Sequence, residues 1–308
     1  MKILITGSNG LLGQKLVYKL REQKEHNCIA AARGENRLVK TEGYTYVSLD
    51  ITKREEVERV FSEHLPDVII NTAAMTNVDA CETDREGALL LNARSVDFQV
   101  EVLEELQKKN SGYRPHFIHL STDFIFDGTH GPLDESEKPN PLSYYAETKL
   151  MAEEKVIASQ LQWAIARTVL VYGIVDNMSR SNIVLWVKNN LEQGKTINVV
   201  DDQFRTPTLA EDLADGCLLI AAKKAQGIYN ISGPDYYSIL ELARTVADYY
   251  GLDKSLIKPS KSADIKQPAK RPPITGFIID KAKRELGYAP HTFTEGIKIL
   301  EDQIKAMS

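Results

Sequence analysis

Cysteine is scarce and unpaired in this chain. Cys28, Cys81 and Cys217 are its three cysteines and stand far apart with no CxxC pair, which argues against a disulfide framework and a structural zinc site and points to a reducing cytoplasm. No run of five or six lysines and arginines occurs, and the formal charge is only −5, so nucleic acid is not an expected partner. The first residues read directly as a strand, without a basic segment leading into a long apolar one, so neither export nor a membrane role is expected. HExxH is absent and the six histidines are scattered, so no metal is expected. No repeat or low-complexity tract breaks the chain.

What is present is ordinary globular material: 308 residues, 43% hydrophobic and 26% charged, enough for one large α/β unit with a smaller one built onto it. Short apolar runs at Ile3–Thr6, Cys28–Ala32, Tyr46–Leu49, Val68–Asn71, His116–Leu120 and Ala164–Arg167 alternate with helical periodicity at Leu11–Glu22, Arg54–Glu63, Arg85–Asn110 and Tyr144–Ala158. That rhythm predicts βαβ units and a Rossmann-like, doubly wound parallel sheet. Residues 1–172 are expected to form the dinucleotide-binding domain and 173–308 mainly a smaller, interleaved substrate domain, with return segments near 200–232. In the second half, Asn182–Gln193, Ala210–Ala222 and Ser238–Tyr250 read as helices, Asp201–Thr208 as a loop and Pro259–Pro273 as irregular. The stretch Arg85–Asn110 is long enough to offer a homodimer face.

Gly7-Ser8-Asn9-Gly10-Leu11-Leu12-Gly13 sits between the first strand and the first helix. Glycines there permit a tight turn, let backbone amides approach a pyrophosphate, and let the helix pack close to the sheet. Gly7, Asn9, Gly10, Leu11, Leu12 and Gly13 are therefore cofactor-binding candidates. An Asp or Glu that would favour NAD is expected roughly 20 residues after such a turn; this chain has Ala31-Ala32-Arg33-Gly34. Arg33 suits the 2′-phosphate of NADP, making NADPH the preferred cofactor over NADH, unless it is only a solvated loop charge. Asp50, followed by Ile51, is either an adenine contact or a helix cap.

Tyr145-Ala146-Glu147-Thr148-Lys149 places a phenol and an amine on one helix face at i, i+4. A tyrosine with a pKa of about 10 needs a neighbouring cation to exchange protons readily near neutrality, and Lys149 supplies one. Alone, this spacing also fits an exposed helix pair. Ser121-Thr122-Asp123-Phe124, after a predicted strand, offers hydroxyls for a substrate oxygen or for backbone caps.

The GxxGxxG turn, the YxxxK helix and the Ser-Thr pair together resemble the extended short-chain dehydrogenases/reductases. Longer stretches are similar to the dTDP-4-dehydrorhamnose reductases: Pro66–Asn71 with Val78–Glu82, Ser121–Gly128, Arg167–Gly173, Asp202-Gln203 with Pro207-Thr208, and Lys270–Pro273. The resemblance implies Asp50 and Ile51 beside adenine, Ala73, Ala74 and Met75 near the nicotinamide ribose, and Lys149 on the ribose hydroxyls. It implies Thr122, Tyr145 and Lys149 as catalytic residues, with Thr76, Ser121, Thr122, Asp123 and Phe124 beside the substrate. The implied activity is NADPH-dependent reduction of the 4-keto group of a nucleotide-linked deoxysugar.

Two positions depart from those reductases. Val169-Leu170 stands where they usually carry a tryptophan, and Arg205 where glycine is common. Arg205 and Arg271, with Arg180 and Lys188 behind them, are candidate contacts for an anionic substrate; Phe126 and Tyr172 are either pocket or core. Two alternatives stay open: a reductase, epimerase or dehydratase for another nucleotide sugar, the latter two using tightly bound NAD, and a non-catalytic NADP-binding regulatory subunit resembling that of methionine adenosyltransferase.

Overall fold

The computed structural model describes residues 1–23, 25–178 and 181–307. The first half runs β1 (Lys2–Thr6), α1 (Leu11–Gln23), β2 (Asn27–Ala32), β3 (Thr45–Ser48), α2 (Arg54–His64), β4 (Val68–Asn71), α3 (Val78–Thr83), α4 (Arg85–Leu89), α5 (Ser95–Lys109), β5 (His116–Thr122), α6 (Tyr144–Ala158) and β6 (Gln162–Thr168). The second half runs β7 (Val171–Tyr172), α7 (Ile183–Glu192), β8 (Ile197–Val200), β9 (Phe204–Arg205), β10 (Thr208–Leu209), α8 (Ala210–Lys223), β11 (Gly227–Asn230), β12 (Tyr237–Ser238), α9 (Ile239–Tyr250), β13 (Ile257–Ser260) and α10 (Phe293–Met307).

Seven parallel strands form the central sheet in the order β11-β6-β5-β4-β1-β2-β3. The order reverses between β1 and β4, and at such a switch point the loops leaving neighbouring strands diverge and open a crevice. Alternation along the strands builds two apolar faces. Ile3, Ile5, Val68, Ile70, Ile118 and Leu120 join a core with Leu16 and Leu20 of α1 and Leu213 and Ile220 of α8. Leu4, Ile69, Phe117 and Ile165 face the other way, onto Val60 and Phe61 of α2, Val100 and Leu103 of α5, and Ala152 and Val156 of α6.

The second half is interleaved as expected. β11 returns to the sheet edge beside β6, and α8 packs on α1. The remainder forms a lobe with its own core, including Val184, Leu191, Val246, Phe293 and Leu300, and β8 pairs there with β13 instead of joining the main sheet.

Three local expectations need correction. The stretch Arg85–Asn110 is not one regular helix, because a π-helical turn at Leu90–Arg94 separates α4 from α5. Asp201–Thr208 is not all loop: β9 pairs antiparallel with β12, and Thr208 begins β10, which pairs with β7. The segment read as irregular from Pro259 begins inside β13, where Pro259 and Ser260 align with β8.

One buried ion pair joins helix to sheet. Arg167 on β6 donates to both carboxylate oxygens of Glu153 on α6, at 3.0 and 2.7 Å, with side chains only 3% and 1% exposed. Removing one member strands a charge where water cannot reach it. Arg167→Met is therefore expected to lower the unfolding free energy by about 3–5 kcal/mol in urea titrations, and Arg167→Met with Glu153→Leu to restore most of it. A loss below about 1 kcal/mol, the range of exposed pairs, would mean that the pair contributes no more than a surface one.

Candidate active site

β1 ends against a turn that only glycine fits. Gly7 has φ +70°, and a Cβ there would lie 2.8 Å from the Ala73 backbone. A Cβ on Gly13 would lie 2.3 Å from the Gly7 carbonyl oxygen, so the missing side chain lets α1 press onto the turn. Gly7, Asn9, Gly10, Ala73, Ala74 and Met75 line a cavity of about 510 Å³. Leu11 and Leu12 do not line it. Leu11 lies beside Gly173 and Leu12 packs on the core, so what they offer the cavity is the amide end of α1.

Arg33, Arg37, Asp50 and Ile51 line the same cavity. Asn9 fixes the loop after β2, donating to the Glu35 carbonyl at 2.9 Å and accepting from the Arg37 amide at 3.0 Å. Arg37 was not among the sequence candidates; its signal is a second arginine four residues beyond Arg33 in the loop leaving β2. Asp50 lines the cavity and accepts from the Thr52 amide and hydroxyl at 3.0 and 2.6 Å, but it does not cap α2, whose N-cap is Lys53. Burial raises its carboxyl, but those hydrogen bonds and the charges of Arg33 and Lys53 prevail and leave it below the ordinary value. Size, amide end and two lining arginines fit a dinucleotide carrying an extra phosphate.

Thr122, Tyr145 and Lys149 do not line this cavity; Tyr145 packs in a cluster with Met75, which does. Ser143 caps α6 by accepting from the Ala146 amide, which starts the helix at Tyr144, one residue before Tyr145. Tyr145 is 8% exposed and Thr122, at the end of β5, 7%. The Thr122 hydroxyl donates to Asp123 Oδ1 at 3.1 Å. Burial holds the Tyr145 phenol well above its ordinary pKa, while a hydrogen bond with Thr122 pulls it down. Phe124 meets the Tyr145 ring edge-on.

Lys149 is buried and donates to the Leu120 carbonyl at 2.6 Å, with His119 Nε2 3.2 Å away. Burial pushes its amine down to about 8, against the pull of Glu153. Sequence reasoning missed Asn92, in the π turn. It accepts from the Met75 amide at 2.7 Å and donates to the Met75 carbonyl and the Thr148 hydroxyl, holding the cavity wall against α6. A π turn inside a regular helix often marks a functional position, but periodicity alone does not reveal one.

The substrate candidates divide. Thr76 is exposed. Ser121 is buried, and its hydroxyl has no hydrogen-bond partner in the protein. Asp123 is buried, accepting from Thr275 at 2.5 Å; burial raises its carboxyl despite the nearby Arg205 charge. Arg205 departs from expectation. It is 3% exposed, and its guanidinium donates to the carbonyls of Phe204, Pro273 and Pro272, so it anchors the chain and is not free to grip a ligand. Arg271 is held by both carboxylate oxygens of Asp79, at 3.2 and 2.7 Å. Lys188 pairs with Glu192, Arg180 lies outside the described residues, and Phe126 and Tyr172 are core residues.

No helix among the described residues is long and apolar enough to cross a membrane. A probable dTDP-4,6-dihydroxy-2-methyloxan-3-one 4-ketoreductase of Streptomyces antibioticus is 32% identical over 296 residues, 94% of this chain and 90% of its own length. Methionine adenosyltransferase 2 subunit beta of Xenopus tropicalis is also 32% identical, over 263 residues, 84% of this chain and 75% of its own. Among solved structures, dTDP-4-dehydrorhamnose reductase of Bacillus anthracis in complex with NADP superposes with a TM-score of 0.80 at 25% identity, covering 98% of this chain and 99% of that one. The model of the RmlD substrate binding domain matches residues 1–305, and with the Rossmann sheet and the Thr122–Tyr145–Lys149 arrangement in place, the chain belongs to that family, within the extended short-chain dehydrogenases/reductases.

Proposed function

We propose that this protein is an NADPH-dependent reductase acting on the 4-keto group of a nucleotide-linked deoxysugar. The observation that carries this reading is the contiguity of the two halves of the site: Met75 lines the dinucleotide-sized crevice and packs in the cluster that holds Tyr145. The 4-ketoreductase relative acts on a dTDP sugar by its name, and the Bacillus anthracis reductase binds NADP; both support the same assignment. NADPH bound in this crevice supplies hydride to the carbonyl carbon. Arg33 and Arg37 offer charge-assisted donors to its 2′-phosphate, and the amide end of α1 faces its pyrophosphate.

Tyr145 retains its proton in the buried site and delivers it from Oη to the carbonyl oxygen as negative charge develops there. Thr122 turns its single hydroxyl proton from Asp123 Oδ1 to that oxygen. Lys149, when protonated, makes loss of the phenol proton less costly.

A second reading, a binding subunit without turnover, is favoured by the kinship to methionine adenosyltransferase 2 subunit beta. Following NADPH absorbance with dTDP-4-dehydrorhamnose separates the two. Consumption supports the reductase; NADPH binding without consumption of this or other nucleotide keto sugars supports the subunit.

Three outcomes are expected of the reductase. Tyr145→Phe should lower kcat by about 10²–10⁴-fold while leaving the NADPH Kd unchanged, and a loss under tenfold would remove Tyr145 as the acid. Replacing Arg33 and Arg37 with alanine should raise the Kd for NADPH by about ten- to a hundredfold with NADH little affected; equal weakening of both would sink the phosphate assignment. The required Lys149 cation exists below its pKa of about 8 and is lost above it, whereas Tyr145 keeps its proton to higher pH. Reduction should therefore fall as pH rises through about 8, and a flat kcat/KM across that range would exclude Lys149 as the controlling cation.

A further inference from the structure

Beneath the catalytic helix, a line of buried polar side chains runs across three strands to Lys149. Thr6 on β1, Asn71 on β4 and His119 on β5 are 0%, 1% and 1% exposed. The Thr6 hydroxyl donates to Asn71 Oδ1 at 2.5 Å, a separation suited to O–H···O and short for an amide N–H donor. That contact orients the amide, directing Nδ2 at His119 Nδ1, 3.1 Å away. An amide nitrogen only donates, so His119 Nδ1 must accept, and the ring proton of a neutral imidazole sits on Nε2. Nε2 is the atom 3.2 Å from Lys149 Nζ. The ring has little freedom to turn away, lying parallel to Phe117 with centroids 6.5 Å apart.

An ammonium carries three N–H groups and no lone pair. Facing an N–H on His119, it meets a second donor, whereas a neutral amine accepts that hydrogen bond and still donates to the Leu120 carbonyl. We infer that His119 is a positioning residue for the reaction proposed above: fixed by Asn71 as the Nε2–H tautomer, it presents a donor to Lys149 Nζ and favours the uncharged amine. The deep burial that keeps His119 from becoming a cation agrees with this polarity.

The other ionisable groups around the pair are accounted for. On α6, Glu153 favours the Lys149 cation, but its carboxylate is shared with Arg167 of β6. Asp123, beyond β5, and Cys81 of α3 act on Tyr145. Among the ionisable groups, His119 is the one hydrogen-bonded to Lys149 Nζ. It therefore helps set the pH at which the lysine gains its charge.

The inference rests on the reductase reading for its consequence but not for its first test. In histidine labelled with 15N, two-bond proton–nitrogen correlation spectra of the intact protein should show His119 neutral with its proton on Nε2 from pH 6 to 9, an assignment that needs no turnover. A proton on Nδ1, or an imidazolium, overturns the inference while leaving the reductase reading untouched. In the second test His119→Leu removes the donor and His119→Gln retains one. His119→Leu should shift the alkaline limb of kcat/KM upward by about one pH unit, the order of one buried hydrogen bond, with Gln restoring it toward the parent value. A limb moved downward, or unmoved in both variants, overturns the positioning role. Where neither the parent nor a variant turns over, the reductase reading fails, and the titration of Lys149 13Cε in parent and His119→Leu protein decides the inference by the same sign.

Discussion

A buried lysine amine fixes the relation between the catalytic helix and the sheet. Lys149 is 3% exposed, and removing an amine from water costs several kcal/mol unless its polar atoms are satisfied. The Leu120 carbonyl at 2.6 Å and the His119 ring satisfy it from β5. Those contacts set where α6 lies along that strand. One turn earlier on α6, Tyr145 then falls beside Thr122, at the end of the same strand. The Tyr145 phenol and the Thr122 hydroxyl are thus placed by one buried contact, without needing a loop to hold them.

The segment 271–275 is tied to two elements that pack near Tyr145. Arg205 draws in the Pro272 and Pro273 carbonyls and lies 3.6 Å from Asp123, the residue after Thr122, while Thr275 donates to the same carboxylate. Arg271 grips Asp79 on α3, the helix whose Cys81 packs in the Tyr145 cluster. Gly128 permits the approach, since a Cβ there would stand 2.8 Å from Pro272. Residues 271–275 are therefore fastened to the end of β5 and to α3, and the arginines expected to meet substrate make this attachment.

Features governed by near neighbours in the chain were legible. The apolar runs of β1, β4 and β5 and the helical periodicity of α1 and α6 gave their elements within a residue or two, and the glycine turn announced the crevice. Properties set across the fold were not. Arg205 and Arg271 carry no local mark that separates a ligand grip from an internal anchor; their partners, the Pro272 carbonyl and the Asp79 carboxylate, lie 67 and 192 residues away. Asn92 interrupts a helix whose periodicity reads as continuous, because the π turn is stabilised by Met75 and Thr148 from other elements. His119 reads as an inward strand residue, and only the neighbouring strand, through Asn71, decides which nitrogen bears its proton.

This division bears on what the YxxxK pair means. Lys149 is part of the sheet–helix contact, so keeping it serves folding whether or not hydride is transferred, and Tyr145 likewise belongs to a packed cluster. The pair alone therefore does not separate a ketoreductase from a binding subunit, which agrees with relatives of both kinds at 32% identity. What separates them physically is access. Reduction requires a carbonyl oxygen to reach the hydroxyl of Tyr145, a residue that is 8% exposed. Val169, in place of the larger residue usual in the rhamnose enzymes, is buried in the main core and contributes no wall to the crevice.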